Sequence, residues 1–452
     1  DTNWGKMGYR GHTGGVRRYD FTYWSSPVVG EKLYNVSPTT LGDKFYEFNA
    51  IVNNWVIHYN GNKVMEPGIG YIIRAPQTFD INTPAIDDKP VFIGRPNNGV
   101  ITKDLVAGKL YLLGNPYPSA LDADKFLDTN SAVLEGTLYF WTHNTAIQLA
   151  TNITNGTAGS GVYAYTSDDY ASYNRTGGVS TAISAISDPK HSVNGFDLGL
   201  KPTGKIAAGQ GFFAPAKDGG KLIFNNGMRV SGVNGNNSQF FKLSTTSKST
   251  ATTIERNRVW LNLTNKEGAF KQTLVGYVTG ATNDYDNGYD GESFDGNDFI
   301  DFYSINHNKN LTIQGRALPF DATDSVPLGY SSTIKGGFSI SIEEVDGTMQ
   351  SQSVFLEDRV LNVVQDLKVS PYTFNTAAGT FHDRFVLRYT DRTLGNVDFD
   401  KTNNQVSISK DKNDLKVKSE IETIKQITVF DLLGKKVFEK EAVNSNEFGS
   451  SS

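Results

Sequence analysis

The residue types best suited to binding chemistry in this sequence are the carboxylates of one short acidic run, DYDNGYDGE at positions 284–292. Its acids are Asp284, Asp286, Asp290 and Glu292. Hard cations need several oxygen ligands from a flexible loop, and acids that alternate with glycine supply them, so the run predicts a Ca²⁺ site. It is not an EF-hand loop, because Gly288 stands at the fifth position, where a third Asp or Asn ligand belongs. The alternative is a glycine-rich hairpin loop whose acids face water.

Local signatures of catalysis are missing from the sequence. Its histidines are His12, His58, His143, His191, His307 and His382. None lies in the His-Glu-x-x-His spacing that places two zinc ligands on one helix face. The sequence also has no Gly-x-Ser-x-Gly nucleophile turn and no phosphate loop ending in Gly-Lys-Ser/Thr. A triad assembled from distant segments stays open, but we predict no catalytic residue and a protein that is not an enzyme.

Exposed aromatic rings can bind sugars by stacking on them. Trp24, Trp141 and Trp260 lie in alternating strand patterns, which predicts that they belong to the core. Trp55 directly follows two asparagines, so it is the better candidate for an exposed ligand platform.

Composition indicates the fold class. The chain has 452 residues, more than one hydrophobic core usually organises, and it contains 45 glycines and 12% aromatic residues. Aromatic residues favour strands, and glycine favours the tight turns that join them. We therefore predict an all-β array of sandwich units of the jelly-roll or immunoglobulin-like kind, with one short helix over residues 121–126.

Charge and cysteine content exclude some classes of partner and site. The formal net charge is −5, from 43 basic and 48 acidic residues, and no basic stripe is present, so nucleic acid is not expected as a partner. The absence of cysteine excludes disulfides and thiolate sites. No apolar run approaches the roughly 18 residues of a membrane-spanning helix, so none is predicted.

Two stretches of the first half repeat one order of motifs. Each has a strand, a proline turn, an aromatic strand and a Gly-x-Gly strand that ends at Ala-Pro. We interpret residues 1–100 and 101–240 as copies of a divergent duplication, the second with a long polar insertion over 144–201. Short apolar strands with turn signals predict a β-sandwich over residues 250–392. The Asn- and Asp-rich stretch over residues 393–409 predicts a linker.

The segment after the linker carries the sequence ITVFDLLGKKVFE at positions 427–439. Apolar residues alternate on both sides of a Leu-Gly-Lys-Lys turn, which is the period of half-buried strands. This segment resembles the C-terminal sorting domains read by the type IX secretion system of Bacteroidota. The resemblance implies export across the outer membrane and recognition by the secretion machinery. We assign residues 410–448 to a partial sorting domain and residues 449–452 to a cloning scar or the remainder of an incomplete end. The alternative is an ordinary surface hairpin.

Other phrases carry a related resemblance. The sequences GNPYPSA (114–120) and RALPF (316–320), and the strands between 354 and 385, resemble modules of flavobacterial cell-surface proteins. That group implies β-sandwich architecture and an extracellular place on the cell surface, in adhesion, gliding motility or polymer capture. We therefore expect the C-terminal part of a non-catalytic, adhesin-like protein whose partners are the secretion machinery and surface polysaccharide or other surface proteins. The alternative is a carbohydrate-binding accessory module of a secreted polysaccharide-degrading enzyme.

The tripeptide Asp-Ser-Val at 324–326 lies between two proline-marked apolar phrases, which predicts an exposed connection. It resembles the Asp-Ser/Thr-apolar pattern on which periplasmic O-glycosylation acts in Bacteroidota. The resemblance implies a glycan on Ser325, and the alternative is an ordinary turn.

Overall fold

The computed structural model confirms an all-β protein. It describes residues 5–11, 13–81, 83, 85–87, 90–142, 148–149, 163–164, 170–181, 192–193, 196–197, 201–230, 254–266, 268–293, 299–391, 406–411, 414–419, 423–430 and 435–449. Strands account for 53% of the structure and helices for 6%, far below the third that an average globular protein devotes to helix. Within the described residues, no helix is long and apolar enough to cross a membrane.

The first half of the described chain consists of short strands and two short helices. The strands are β1 (Met7–Arg10), β2 (Thr13–Val16), β3 (Phe21–Trp24), β4 (Phe45–Asn49), β5 (Asn54–Ile57), β6 (Tyr71–Arg74), β7 (Ala85–Asp87), β8 (Val91–Gly94), β9 (Ile101–Leu105), β10 (Leu110–Gly114), β11 (Leu121–Asp122), β12 (Leu138–Trp141), β13 (Gln148–Leu149), β14 (Tyr163–Ala164), β15 (Tyr170–Tyr173), β16 (Gly178–Val179), β17 (Ser192–Val193), β18 (Phe196–Asp197), β19 (Lys205–Ile206), β20 (Gly211–Pro215) and β21 (Gly220–Phe224). The helices are α1 (Leu33–Val36) and α2 (Ala123–Thr129). Helix α2 begins two residues later than expected, because the Asp122 side chain accepts a hydrogen bond from the Lys125 N–H and caps it.

Two sheets of this half share one strand order. The order is β3-β6-β4-β5 in the first sheet and β10-β20-β12-β15 in the second, with β16 added at its edge. All neighbouring strands are antiparallel. In both sheets the Gly-x-Gly strand lies between the strand that enters the proline turn and the aromatic strand. This shared order supports the interpretation of a duplication.

The two sheets exchange equivalent main-chain contacts. The Ser25 N–H donates to the Gly209 carbonyl oxygen at 2.7 Å, and the Gly114 N–H donates to the Gly68 carbonyl oxygen at 3.2 Å. Gly68 and Gly209 have φ values of 83° and 71°, a conformation that glycine adopts without strain. One apolar layer packs between the sheets, consisting of Phe21, Tyr23, Tyr46, Ile72, Leu112, Tyr139, Trp141 and Phe213. The two sheets therefore pack as one body, and the duplication itself stays a prediction.

Longer strands build the second half of this body. They are β22 (Arg256–Asn265), β23 (Phe270–Val278), β24 (Gly291–Glu292), β25 (Ile300–Asn306), β26 (Lys309–Arg316), β27 (Ser325–Ser332), β28 (Gly336–Val345), β29 (Phe355–Asp358), β30 (Val363–Asp366), β31 (Tyr372–Thr376) and β32 (Gly379–Arg388). They form one sheet in the order β30-β29-β32-β27-β25-β26-β23-β22-β28-β31, with β24 beside β26. Only the β23–β26 pair is parallel among the pairs of this sheet that the structure describes.

This sheet curls around a single core. Alternate residues of almost every strand meet in one buried cluster, which includes Val259, Val275, Phe302, Leu328, Phe338, Leu356, Phe374 and Phe385. The Tyr372 hydroxyl of β31 donates to Asp358 Oδ2 of β29 at 2.8 Å, and Arg384 of β32 donates to the same oxygen. Strands from the two ends of the path thus share a fully buried carboxylate, which brings the sheet close to a barrel.

The predicted core tryptophans are confirmed. Trp24, Trp141 and Trp260 are 2%, 7% and 1% exposed. Trp260 also donates its Nε1–H to the Gly178 carbonyl oxygen at 2.8 Å, which connects the first half of the described chain to the outer face of the large sheet.

Residues 391–452 form a second compact unit, separate from residues 1–390. Its strands are β33 (Val406–Asp411), β34 (Asp414–Ser419), β35 (Ile424–Phe430), β36 (Lys436–Ser445) and β37 (Glu447–Gly449). Strand β34 pairs with β33 and β37, and β35 pairs with β36. The finer boundaries expected within residues 1–390 stay predictions, and most of the insertion 144–201 lies outside the described residues.

Candidate functional site

The acidic run folds into a loop whose central acid is buried. Asp290 is 2% exposed, and its two carboxylate oxygens accept hydrogen bonds from the Asp286 N–H at 2.7 Å and the Gly315 N–H at 2.9 Å. Burial raises the pKa of Asp290 to about 7, against the opposing effect of these two donors. Asp290 thus acts as an internal acceptor that closes the loop.

The other three acids of the run also have neighbouring partners. Asp284 lies 3.1 Å from His307 Nε2, and Asp286 accepts the Thr282 N–H. Glu292 pairs with Lys309. Among the described residues, no group of three or more His, Cys, Asp or Glu residues is placed to hold a metal ion, and residues 294–298 lie outside them. Calcium binding at Asp284, Asp286, Asp290 and Glu292 therefore stays a prediction.

The same loop is the junction between residues 1–230 and the large sheet. Carbonyl oxygens at positions 288–290 accept hydrogen bonds from Thr137 Oγ1, Asn174 Nδ2, the Arg175 N–H and Thr176 Oγ1. Gly136 lies so close that a Cβ atom there would be 2.3 Å from the Gly288 Cα. The polar groups of the loop are therefore engaged within the protein.

Ser325 is exposed at the first position of β27. The preceding Asp324 is held from inside, because Arg316 Nε and Nη2 and the Tyr277 hydroxyl all donate to its carboxylate. The geometry leaves the Ser325 side chain in solvent beside a fixed acid. Glycosylation of Ser325 stays a prediction.

Trp55 lies in β5 and packs against an aromatic group rather than standing free. Its ring centroid is 5.1 Å from that of Phe48 and 6.1 Å from that of Phe213, both edge to face. The side chain is half-buried. Its role as a ligand platform stays a prediction, with only part of the ring open to solvent.

A different site emerges where β22, β28 and β31 run side by side. Register places Thr264 opposite Ser339, and Ser339 opposite Thr373. These three alternate along their strands with Phe338 and Phe374, which belong to the core, so the row of hydroxyls faces outward. Within the described part of the chain, none of the three hydroxyls has a hydrogen-bonding partner.

Beside this row the surface is hollow. The next outward position on β28 is Gly337, where an added Cβ would meet only Asn375 Oδ1, at 3.7 Å. The resulting groove has a volume of about 650 Å³, within the size range of ligand sites. It is lined by Thr264, Asn265, Lys266, Gly337, Phe338, Ser339, Thr373, Phe374 and Asn375. We call it the β28 groove.

The β28 groove carries positive charge. Lys266 follows β22, and Lys335 precedes β28, so the antiparallel pairing puts both at the same end of these strands. Both are exposed, and neither forms an ion pair within the part of the chain that the structure describes. Sequence reasoning missed this site, although the Gly-Gly pair before the alternating segment FSISIEE was a signal for it.

The sorting-like sequence occupies a β-hairpin. Strand β35 pairs with β36 through the register Thr428 to Glu439 and Val429 to Phe438. Val437 and Phe438 are 57% and 36% exposed. Residues 431–434 lie outside the described residues. Val437 and Phe438 are thus two exposed apolar side chains of the motif that the structure describes.

Comparisons with known proteins give family membership without an activity. Residues 394–452 match a family described as Domain of unknown function (DUF8694), which coincides with the second compact unit. No curated protein and no solved structure matches the chain. Residues 1–389 match a family described as Domain of unknown function (DUF8693), and since this covers most of the chain, the protein belongs to that family.

Proposed function

We propose that this chain is part of a non-catalytic cell-surface protein that reaches the outside of a Bacteroidota cell by the type IX secretion route and takes part in attachment. The observation that carries the proposal is the C-terminal unit. Its hairpin holds the sorting-like sequence at 427–439, and its boundary at residue 391 agrees with an independent family match. A separately folded unit suits a targeting signal, because the secretion machinery can recognise it without unfolding residues 1–390.

Residues 1–390 are suited to a mechanical role. Nearly every strand of residues 1–390 has a hydrogen-bonded neighbour, and the two halves are joined by main-chain contacts and buried tryptophan. Exposed loops and grooves on such a rigid body can bind a surface without a moving part. Ser325, exposed at a strand start, is the position where we expect a periplasmic glycan.

The test is export of the full chain, with a secretory leader, from a Bacteroidota host and from a matched strain without the translocon. We expect the wild type on the surface or in the medium only when the translocon is present. The double variant Val437→Lys, Phe438→Lys should stay in the periplasm, because it places charge on the exposed motif.

The matched control is Ile93→Lys, Val100→Lys, which changes two apolar residues of the first unit that are more exposed than Val437 and Phe438. It should be exported like the wild type. Export without the translocon, or unchanged export of the motif variant, would contradict the proposal.

A second candidate is a carbohydrate-binding accessory module of a secreted polysaccharide-degrading enzyme. The specific observation in its favour is the β28 groove, with its row of outward hydroxyls. A glycan array with the full chain distinguishes the candidates, since an accessory module requires binding to the polymer that its enzyme degrades.

A further inference from the structure

We propose that the β28 groove binds an anionic polysaccharide, with its hydroxyl row against the sugar hydroxyls and Lys266 and Lys335 against the acidic groups. This inference names the surface partner of the attachment role and rests on the chain working outside the cell. Nothing in the family matches assigns a ligand to this groove.

The first step is the shape of the groove. Neighbouring strands lie about 4.8 Å apart, so the three outward hydroxyls form a line of about 10 Å across the sheet. Gly337 leaves a trough beside that line, because it has no side chain where its neighbours Lys266 and Asn375 have long ones. A polymer can lie along such a groove on the surface of a sheet, whereas a small molecule there would keep most of its surface in water.

The second step is hydrogen-bonding capacity. Hydroxyls of Thr264, Ser339 and Thr373 can each donate and accept, and the Asn375 amide can do both. Such groups match the hydroxyls of a sugar chain, which also donate and accept. They make no hydrogen bonds with other described residues, so binding a sugar replaces water without breaking an internal contact.

The third step is charge. The residues that line the groove include no Asp or Glu, and Lys266 and Lys335 lie exposed at one end of it. Lys266 is the one charged residue among those that line the groove, in a chain whose formal net charge is −5. Hydrogen bonds between the groove hydroxyls and a sugar replace hydrogen bonds to water, so they add little net binding free energy. The two lysines should therefore make binding selective for acidic polymers.

The experiment measures binding of the full chain to polygalacturonate, to dextran sulfate and to neutral dextran, by retardation in affinity gels and by titration calorimetry. We expect binding to at least one acidic polymer, weakening as salt rises, and at least tenfold weaker binding to dextran. The relative affinities for the two acidic polymers identify the acidic group that is preferred.

Two variants test the site itself. Gly337→Leu fills the trough and should weaken binding at least tenfold, while Gly8→Leu is its control, since Gly8 is also exposed in a strand with nothing within 4 Å of an added Cβ. Lys266→Gln, Lys335→Gln should weaken binding by a similar factor. Its control, Lys416→Gln, Lys440→Gln, makes the same charge change at exposed positions in the second unit. Circular dichroism and melting temperature establish that each variant is folded.

Equal affinity for dextran and the acidic polymers, or full binding by folded Gly337→Leu, would overturn the inference. A chain that binds none of the three polymers but is exported normally would also overturn it, and would leave the proposed function standing. Binding of an acidic polymer by a chain that is not exported would contradict the proposed function and leave the ligand assignment of the groove standing.

Discussion

The acidic loop at 284–292 and the β28 groove are both rich in polar side chains, but they use them in opposite ways. Asp290 is buried and accepts two main-chain hydrogen bonds. The carbonyl oxygens of the loop accept hydrogen bonds from residues of the first half of the chain, such as Asn174. The groove hydroxyls face solvent without a partner among the described residues. Polar groups with internal partners stabilise the fold, whereas polar groups that are held in place without partners are free to meet a ligand.

The largest expected effect is the pH dependence that Asp290 gives to stability. Its folded pKa of about 7 is above the ordinary value of 3.8, so the folded state holds a proton that the unfolded state releases. This stabilisation is complete below pH 3.8 and is lost as pH rises toward 7. Three pKa units correspond to at most about 4 kcal/mol in the free energy of unfolding.

Urea unfolding of the wild type and Asp290→Asn between pH 4 and pH 8 measures this dependence. The Asp290→Asn variant has no titrating group at this position and one acceptor oxygen fewer. The loss of unfolding free energy relative to the wild type should therefore be greatest at pH 4 and smaller by up to about 4 kcal/mol at pH 8. Asp286 and Arg316, which face Asp290, are present in both proteins and cancel in the comparison. A difference that stays constant with pH would mean that Asp290 is ionised throughout.

The next effect tests the close approach at the junction. Gly136→Ala should lower the free energy of unfolding by about 3 kcal/mol, because its φ is 100° and the new methyl would meet the Gly288 main chain. Gly99→Ala is the control, with φ of 80° and no neighbour within 4 Å, and should cost only the conformational strain, about 1 kcal/mol. Equal losses would show that the junction can relax.

A matched pair of threonines addresses the comparison directly. Thr176 Oγ1 is buried and donates to the Tyr289 carbonyl oxygen at 2.7 Å, so Thr176→Ala should cost about 1.5 kcal/mol of unfolding free energy. Thr373 is exposed in the groove, so Thr373→Ala should cost less than about 0.5 kcal/mol. Thermal unfolding of both variants suffices, and a costly Thr373→Ala would give that hydroxyl a structural role.

The last prediction concerns calcium. If the loop binds Ca²⁺ as its composition predicts, ten times the dissociation constant should stabilise the wild type by about 1.4 kcal/mol. The double variant Asp286→Ala, Asp290→Ala should not respond, and EDTA should reverse the gain. No change in melting temperature with Ca²⁺ or EDTA would leave the loop as a purely internal junction.

Sequence patterns predicted the fold class and the burial of three tryptophans, because alternation of apolar and polar residues directly reports which side of a strand is covered. They did not predict the role of Asp290. Whether an acid faces water or a main-chain N–H depends on the approach of Gly315, a residue 25 positions away. Local composition carries no information about that distance.

The groove escaped prediction for a related reason. Thr264, Ser339 and Thr373 are spread over 110 residues and become neighbours only through strand register. The start of α2, by contrast, depends on one local contact, the cap formed by Asp122. Long-range pairing therefore created the candidate site, while the elements that carry it were visible in the sequence.

The reciprocal contacts between the sheets that contain β3 and β10 have a consequence for the order of folding during biosynthesis. Ser25 finds its partner at Gly209, and the gap of 184 positions between them takes roughly 10–40 s to synthesise at about 5–20 residues per second. During that time residues 1–100 have been synthesised, but their aromatic side chains, including Phe21 and Tyr46, are not yet packed against the second sheet. A nascent chain in this state exposes aromatic surface that the finished fold buries, and ribosome stalling between positions 100 and 209 should therefore increase its aggregation.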